Sequence, residues 1–204
     1  MSVLLHLIKW QLGLAKPEVW TTFAEQECLS RHARDKLRLA EIGVWHAGTT
    51  LRLRQSMSPQ GTLYAIDPYE RGHLGFSAPR VIAKRELGRV RNGCVVWLRK
   101  TGADAARSAE IRAIAPLDFV FIDAAQTYES LASEWAAWAP LIEPGGVIAL
   151  HDSQEVPGDG LGEQGSARYM REVIAFDARF EMVETIDYLT ILRRRKAEGP
   201  LDQW

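Results

Sequence analysis

At 204 residues, with 47% hydrophobic and 25% charged side chains, the chain has the size and balance of one ordinary globular domain with a substantial core. Its formal net charge of −1 removes any global attraction to nucleic acid or to an anionic membrane. Cys28 and Cys94, the only cysteines, stand in apolar surroundings without metal-site spacing, so a reducing cytoplasm is the expected setting.

Residues 3–14 are mostly apolar but are interrupted by His6, Lys9 and Gln11, with no basic segment before them and no small-residue cleavage site after. That pattern predicts an amphipathic helix ending before Pro17, rather than a signal peptide or a membrane span. Residues 1–21 are therefore read as a cap, a lid or a contact for a second copy, ahead of a body over 22–196 and a tail over 197–204. A second helix is expected over 22–33. Strands then read at 37–42, 62–66, 94–98, 117–122 and 147–150, separated by helical stretches. Such a βαβ series implies parallel strands with helices on both faces.

The first strand leads into EIGVWHAGTT, residues 41–50: Glu41, then Gly43 and Gly48, then Thr49 at the start of a helix. Glycine permits a tight turn and close approach of a ligand to the backbone, and a helix N-terminus with Thr49 as cap suits a carboxylate or phosphate. The second strand ends at Asp67, where an acceptor-only carboxylate matches the two hydroxyls of a ribose. Trp45 occupies the position at which a dinucleotide loop needs its second glycine, so NAD is the poorer fit. His73 follows Asp67 in a loop, and His46 within the first motif is expected to face solvent.

After the fourth strand comes Asp123, then a helix over 127–139 whose Leu131, Trp135 and Trp138 share one buried face. Pro144, Gly145 and Gly146 predict a turn into the fifth strand, which ends in His151 and Asp152. Gly158, Gly160, Gly162 and Gly165 mark residues 153–165 as a mobile lid, followed by a helix with Met170, Val173 and Ile174 on one face. Strands at 180–185 and 188–192 are joined by two residues, a link only antiparallel strands allow. The expected fold is α/β: a mostly parallel, seven-stranded, doubly wound sheet closing in an antiparallel hairpin. The run Arg193, Arg194, Arg195, Lys196 reads as a solvated strand end.

Over residues 22–194 the segments EIGVWHAGTT, GTLYAIDPYE, LDFVFIDAAQTYES and LIEPGGVIALHDS, in that order and spacing, resemble the class I S-adenosylmethionine-dependent methyltransferases. They are most similar to the small bacterial O-methyltransferases of the macrocin and cephamycin-pathway group. The resemblance implies S-adenosylmethionine as cofactor and a small-molecule methyl acceptor, without nucleic acid or membrane as partner. It assigns Glu41, Gly43, Gly48, Thr49, Asp67, Asp104 and Asp123 to the cofactor, and Asp123, His151 and Asp152 to catalysis. The chain departs from the group after strand four, where Ala124, Ala125 and Gln126 stand in place of the usual second acid and histidine, and at Ala47, where glycine is frequent.

Methyl transfer from a sulfonium needs an aligned, deprotonated nucleophile. Asp123 and Asp152 could hold a divalent metal such as Mg²⁺ that activates a hydroxyl, with a histidine as third ligand favouring Mn²⁺, Fe²⁺ or Zn²⁺. Alternatively His151 is the general base and no metal is required. The sequence leaves both open. Functions of other classes are an NAD-dependent oxidoreductase, or a non-catalytic cofactor-binding protein on the same fold.

Overall fold

A computed structural model describes residues 3–72, 75–155 and 165–196. Its elements, in chain order, are α1 (Val3–Gln11), α2 (Phe23–Ala33), β1 (Arg38–Ile42), α3 (Gly48–Ser56), β2 (Thr62–Ile66), α4 (Ala78–Leu87), β3 (Cys94–Leu98), α5 (Gly102–Arg107), α6 (Ala109–Arg112), β4 (Leu117–Ile122), α7 (Tyr128–Trp138), β5 (Ile142–Leu150), α8 (Gly165–Glu172), β6 (Phe180–Ile186) and β7 (Leu189–Arg194).

The seven strands form one sheet in the order β3-β2-β1-β4-β5-β7-β6. Pairs from β3 through β5 are parallel, while β7 lies antiparallel to both β5 and β6. The expected architecture is present. Alternation along the strands divides the core. Leu39, Phe119, Phe121, Val147 and Ala149 pack under α2 and α3, whereas Ala40, Ile42, Val120, Ile122 and Ile148 pack with Leu131, Trp135 and Trp138 of α7 on the other face. Trp138 is fully buried, so the tryptophan stripe is core. Each such large apolar side chain contributes about 1.5 to 3 kcal/mol relative to exposure.

Two local expectations are corrected. Residues 144–146 do not form a turn ahead of β5; they lie inside it, where the register with β4 shifts between Leu117 and Phe119 and Gly145 takes a positive φ of 85°. Long-range pairing with β4 keeps the strand running through a bulge that turn chemistry alone would read as its start. Val173 is 38% exposed and Gly165 belongs to α8, so the buried stripe there is Ser166, Ala167 and Met170, with Ile174 just beyond the helix. Gly158, Gly160 and Gly162 lie outside the described residues, as do His73 and the tail from 197.

The N-terminal helix packs on α4: Leu7 and Trp10 meet Ala78 and Ile82, and the Trp10 indole donates to Glu86 at 2.9 Å. Leu4, Leu5 and Ile8 stay on its exposed side. Among the described residues no helix is long and apolar enough to cross a membrane.

Candidate active site

The strand order reverses between β1 and β4, and the crevice at such a point lies outside the carboxyl ends of the strands. Backbone pairing fixes the residues there. Gly43 N donates to Ile66 O, Asp67 N to Leu98 O, Asp123 N to Ile42 O and His151 N to Ile122 O, at 2.8 to 3.1 Å. A cavity of about 720 Å³ opens over them, lined by Trp20, Gly43, Trp45, Asp67, Asp123, Gln126, His151, Asp152 and Tyr188. Among the described residues three carboxylates line it, and no lysine or arginine does.

Gly43 has a φ of +90°, and a Cβ on it would lie 2.5 Å from the carbonyl oxygen of Asp123. Its role is thus the close approach of β1's end to β4's end. Gly48 is different. Its missing side chain makes room for Val19, and Thr49 bonds Thr21 through the hydroxyls at 2.9 Å. Neither Gly48 nor Thr49 lines the cavity, because the segment around 18–21 roofs the start of α3. Asp104 is exposed and closes the first turn of α5 with Thr101, also away from the cavity.

Asp67 and the glycine loop, read from sequence as contacts for opposite ends of one ligand, are bonded to each other. Asp67 Oδ2 accepts from Val44 N at 3.1 Å and Trp45 N at 3.0 Å, and Oδ1 accepts from Tyr69 N at 2.8 Å. An ionised carboxylate has about four acceptor positions, so one remains for a ligand. Trp45, Ala47, Tyr69 and Asp152 all have positive φ, a conformation that costs a non-glycine residue of order 1 to 3 kcal/mol and gathers where sites are built. Ala47, at +64°, is held where glycine would be free.

Glu41 points beneath this loop. It is 1% exposed and neither oxygen makes a hydrogen bond of good geometry; burial raises its carboxyl well above the usual range against the pull of the nearby Thr50 hydroxyl, with Asp123 and Asp67 adding to the rise. His46, expected in solvent, is buried, stacked between His6 and Trp45, and burial lowers it to about 4 despite Glu18. Nothing local to His46 signals its burial, because α1, whose His6 stacks on it, is remote in the chain.

At the ends of β4 and β5 the three expected catalytic residues do meet. His151 Nδ1 lies 2.9 Å from Asp123 Oδ1 and 3.4 Å from Asp152 Oδ1, yet makes no hydrogen bond of good geometry. The three ligand atoms fall within 4.8 Å of one another. Burial by itself would lower His151, but Asp123, Asp152 and Glu25 outweigh it and push the imidazole up to about 12; burial in turn raises Asp123 against the pull of His151. The three carboxylates thus favour the protonated imidazole. Glu25 was missed by sequence reading. Its signal was the Thr22-x-x-Glu25 spacing of a capping box, which the structure contains in full. A second cluster, Cys28, His32 and Glu184, lies between α2 and β6. There Arg31 pairs with Glu184 at 2.6 Å, and burial raises the Cys28 thiol to about 12. Cys94 is exposed, contrary to its apolar sequence setting.

A family model described as a methyltransferase domain matches residues 40–153, more than half the chain. No curated protein matches it. Among solved structures it is similar to the O-methyltransferase TomG of Streptomyces achromogenes, in complex with SAM, at 18% identity and TM-score 0.69 over 96% of this chain and 91% of that one. The O-methyltransferase of Bacillus cereus, in complex with SAH, gives 19% identity and TM-score 0.67 over the same shares. The N-methyltransferase NodS of Bradyrhizobium japonicum gives 14% and 0.60 over 85% and 94%. At these identities the likeness establishes the fold.

Proposed function

The chain belongs to the methyltransferase-domain family, and from that premise we propose that it transfers a methyl group from S-adenosylmethionine to a hydroxyl of a small-molecule acceptor. The observation that carries this is the cavity: about 720 Å³, the size of a small-molecule site, with Asp67, Asp123 and Asp152 on its walls and no lysine or arginine. A pyrophosphate would meet uncompensated repulsion there, whereas a sulfonium with an ammonium group is attracted. The buried carboxyl of Glu41, with no hydrogen bond of good geometry, adds an acid beneath the glycine loop. Bound there, S-adenosylmethionine supplies an electrophilic methyl.

This chain's residues then have separable tasks. Asp67, with one acceptor position left, receives a ribose hydroxyl, while Gly43 lets the backbone come close. Trp20, Gln126 and Tyr188 border the side on which an acceptor enters. His151 stands among three carboxylates that favour its protonated form, which makes it a poor base in the free protein. The metal reading is supported instead by the geometry, with three ligand atoms within 4.8 Å of one another, and a bound ion would displace the proton from Nδ1. Asp123, Asp152 and His151 Nδ1 would hold a divalent ion, which would lower the pKa of an acceptor hydroxyl, and the imidazole among the ligands favours Mn²⁺, Fe²⁺ or Zn²⁺ over Mg²⁺.

Calorimetry with S-adenosylhomocysteine and with NAD tests the cofactor. Binding of the first and not the second is expected, and the reverse would overturn the reading. Methyl transfer to a panel of phenol, catechol and sugar hydroxyls, with and without chelator, tests the rest. Transfer undiminished by chelator would reject the metal, and transfer to none would favour a non-catalytic binding role.

A further inference from the structure

Glu25 stands on α2, ahead of residues 40–153 that the family model matches, yet its carboxylate reaches the strand ends. It is 0% exposed. Oε2 accepts from Thr22 N at 2.7 Å and lies 3.3 Å from Nε2 of His151; Oε1 accepts from Tyr188 N at 2.8 Å. We propose that Glu25 is a positioning residue: it takes the Nε2–H of His151 and so fixes the ring with Nδ1 delivered between Asp123 and Asp152. The proposal deepens the reading of that strand end as the reacting end of the cavity, and rests on it.

The assignment of donor and acceptor follows from the backbone. Both oxygens of Glu25 already face fixed N–H groups, which can only donate, so the carboxylate is an acceptor on each side and the imidazole must be the donor. A histidine whose one nitrogen is tied in this way has its other nitrogen committed in direction, and such outer partners set both tautomer and basicity. Here the remaining nitrogen is Nδ1, which lies close to both aspartates without a well-formed bond to either. A simple helix cap does not account for this. The capping box requires only Thr22 N, and an exposed glutamate would serve it, whereas this carboxylate is sealed from water between α2, the end of β5 and the β6–β7 turn. Phe121 and Tyr188 ring the imidazole, with centroids 6.4 and 6.3 Å away, so it has little freedom to turn once Glu25 holds it.

The test is the tautomer of His151 in the intact protein, read from imidazole ¹⁵N–¹H correlation spectra and assigned by the signals lost in His151→Gln. The wild-type spectrum should show an Nε2–H protected from exchange and shifted downfield by a charged acceptor. In Glu25→Gln the acceptor is neutral and its N–H₂ must face Tyr188 N, so the Nε2–H signal should move upfield and exchange faster. Affinity for S-adenosylhomocysteine should stay within about threefold, while turnover of the best acceptor falls about 10- to 100-fold in kcat, the range for outer-shell partners. A wild-type Nε2 without a proton, or a His151 spectrum unchanged in the variant, would overturn the proposal. Should Glu25→Gln fail to fold, the wild-type spectrum alone still decides. Failure of S-adenosylhomocysteine to bind the wild type would instead count against the functional reading and leave the tautomer result standing.

Discussion

The two ends of the parallel strands are built by opposite rules. At the amino end nearly every polar group has a fixed partner: Asp118 accepts Leu37 N and Arg38 N at 2.7 and 2.9 Å, Arg54 donates to the carbonyls of Leu87, Asn92 and Gly93, and Asn92 returns bonds to Arg54 and Met57. At the carboxyl end Glu41 and His151 Nδ1 are buried without a hydrogen bond of good geometry, and four non-glycine residues have positive φ, against one, Asp35, at the amino end. One end is optimised for stability. The other gives up local satisfaction where a ligand is to be held, which is where such departures from the rules are expected.

The strongest way to break this comparison is Gly43→Ala. A methyl there must displace the Asp123 carbonyl at 2.5 Å while its own residue stays at a φ of +90°. Adding the cost of a left-handed alanine to that of overpacking gives about 2 to 5 kcal/mol. Urea denaturation should show that loss, and calorimetry should show S-adenosylhomocysteine binding abolished along with it. Asp118→Ala should cost less, about 2 kcal/mol, by stranding two backbone donors. Its effect belongs to the amino end, so affinity for S-adenosylhomocysteine in the folded variant should be unchanged. A coupled loss of affinity would mean that the two ends are not separate.

Much of this was legible from the chain. Residues 62–66, 94–98 and 117–122 were read to their ends because apolar runs bounded by turn residues carry their own limits. Asp123, His151 and Asp152 were brought together because strand ends in a parallel sheet converge by topology. What escaped depended on partners far along the chain. Glu25 meets His151 across 126 positions, His46 is buried by a helix some 40 residues earlier, and the 144–146 segment lies within a strand only because pairing with β4 at Ile142 resumes at Val147. The glycines of EIGVWHAGTT were visible, but which one meets a ligand, and which meets Val19, is a matter of packing.

Glu41→Gln sharpens the comparison through pH. The folded carboxyl is raised above its unfolded value of about 4.3, so the stability it contributes is fully present below that pH and is lost as pH rises through the folded pKa. Glutamine does not ionise in either state. The variant should therefore match the parent near pH 4 and be the more stable of the two at pH 8, as read from urea midpoints. Its affinity for S-adenosylmethionine should fall, because a carboxylate able to ionise beside a cationic ligand has been removed. Equal stability at both pH values would show that Glu41 is not held neutral by its burial.

The smallest effect is expected at Gly48→Ala, one turn away from the largest. Here the added Cβ meets Cγ2 of Val19 at 2.2 Å and its Cβ and Cγ1 at 3.1 Å, so Val19, which is 42% exposed, must move outward together with its backbone. Alanine also gains about 1 kcal/mol over glycine at a helical position, offsetting the disturbed contact, so the net change should lie within about 1 kcal/mol. The informative reading is affinity. If Gly48 is glycine so that the 18–21 segment can lie over α3, S-adenosylhomocysteine should bind the variant within about threefold of the parent, an energy difference of roughly 0.6 kcal/mol. If instead the cofactor approaches this backbone closely, alanine should cost tenfold or more with stability unaffected, and the N-terminal segment would then have to lift from α3 on binding.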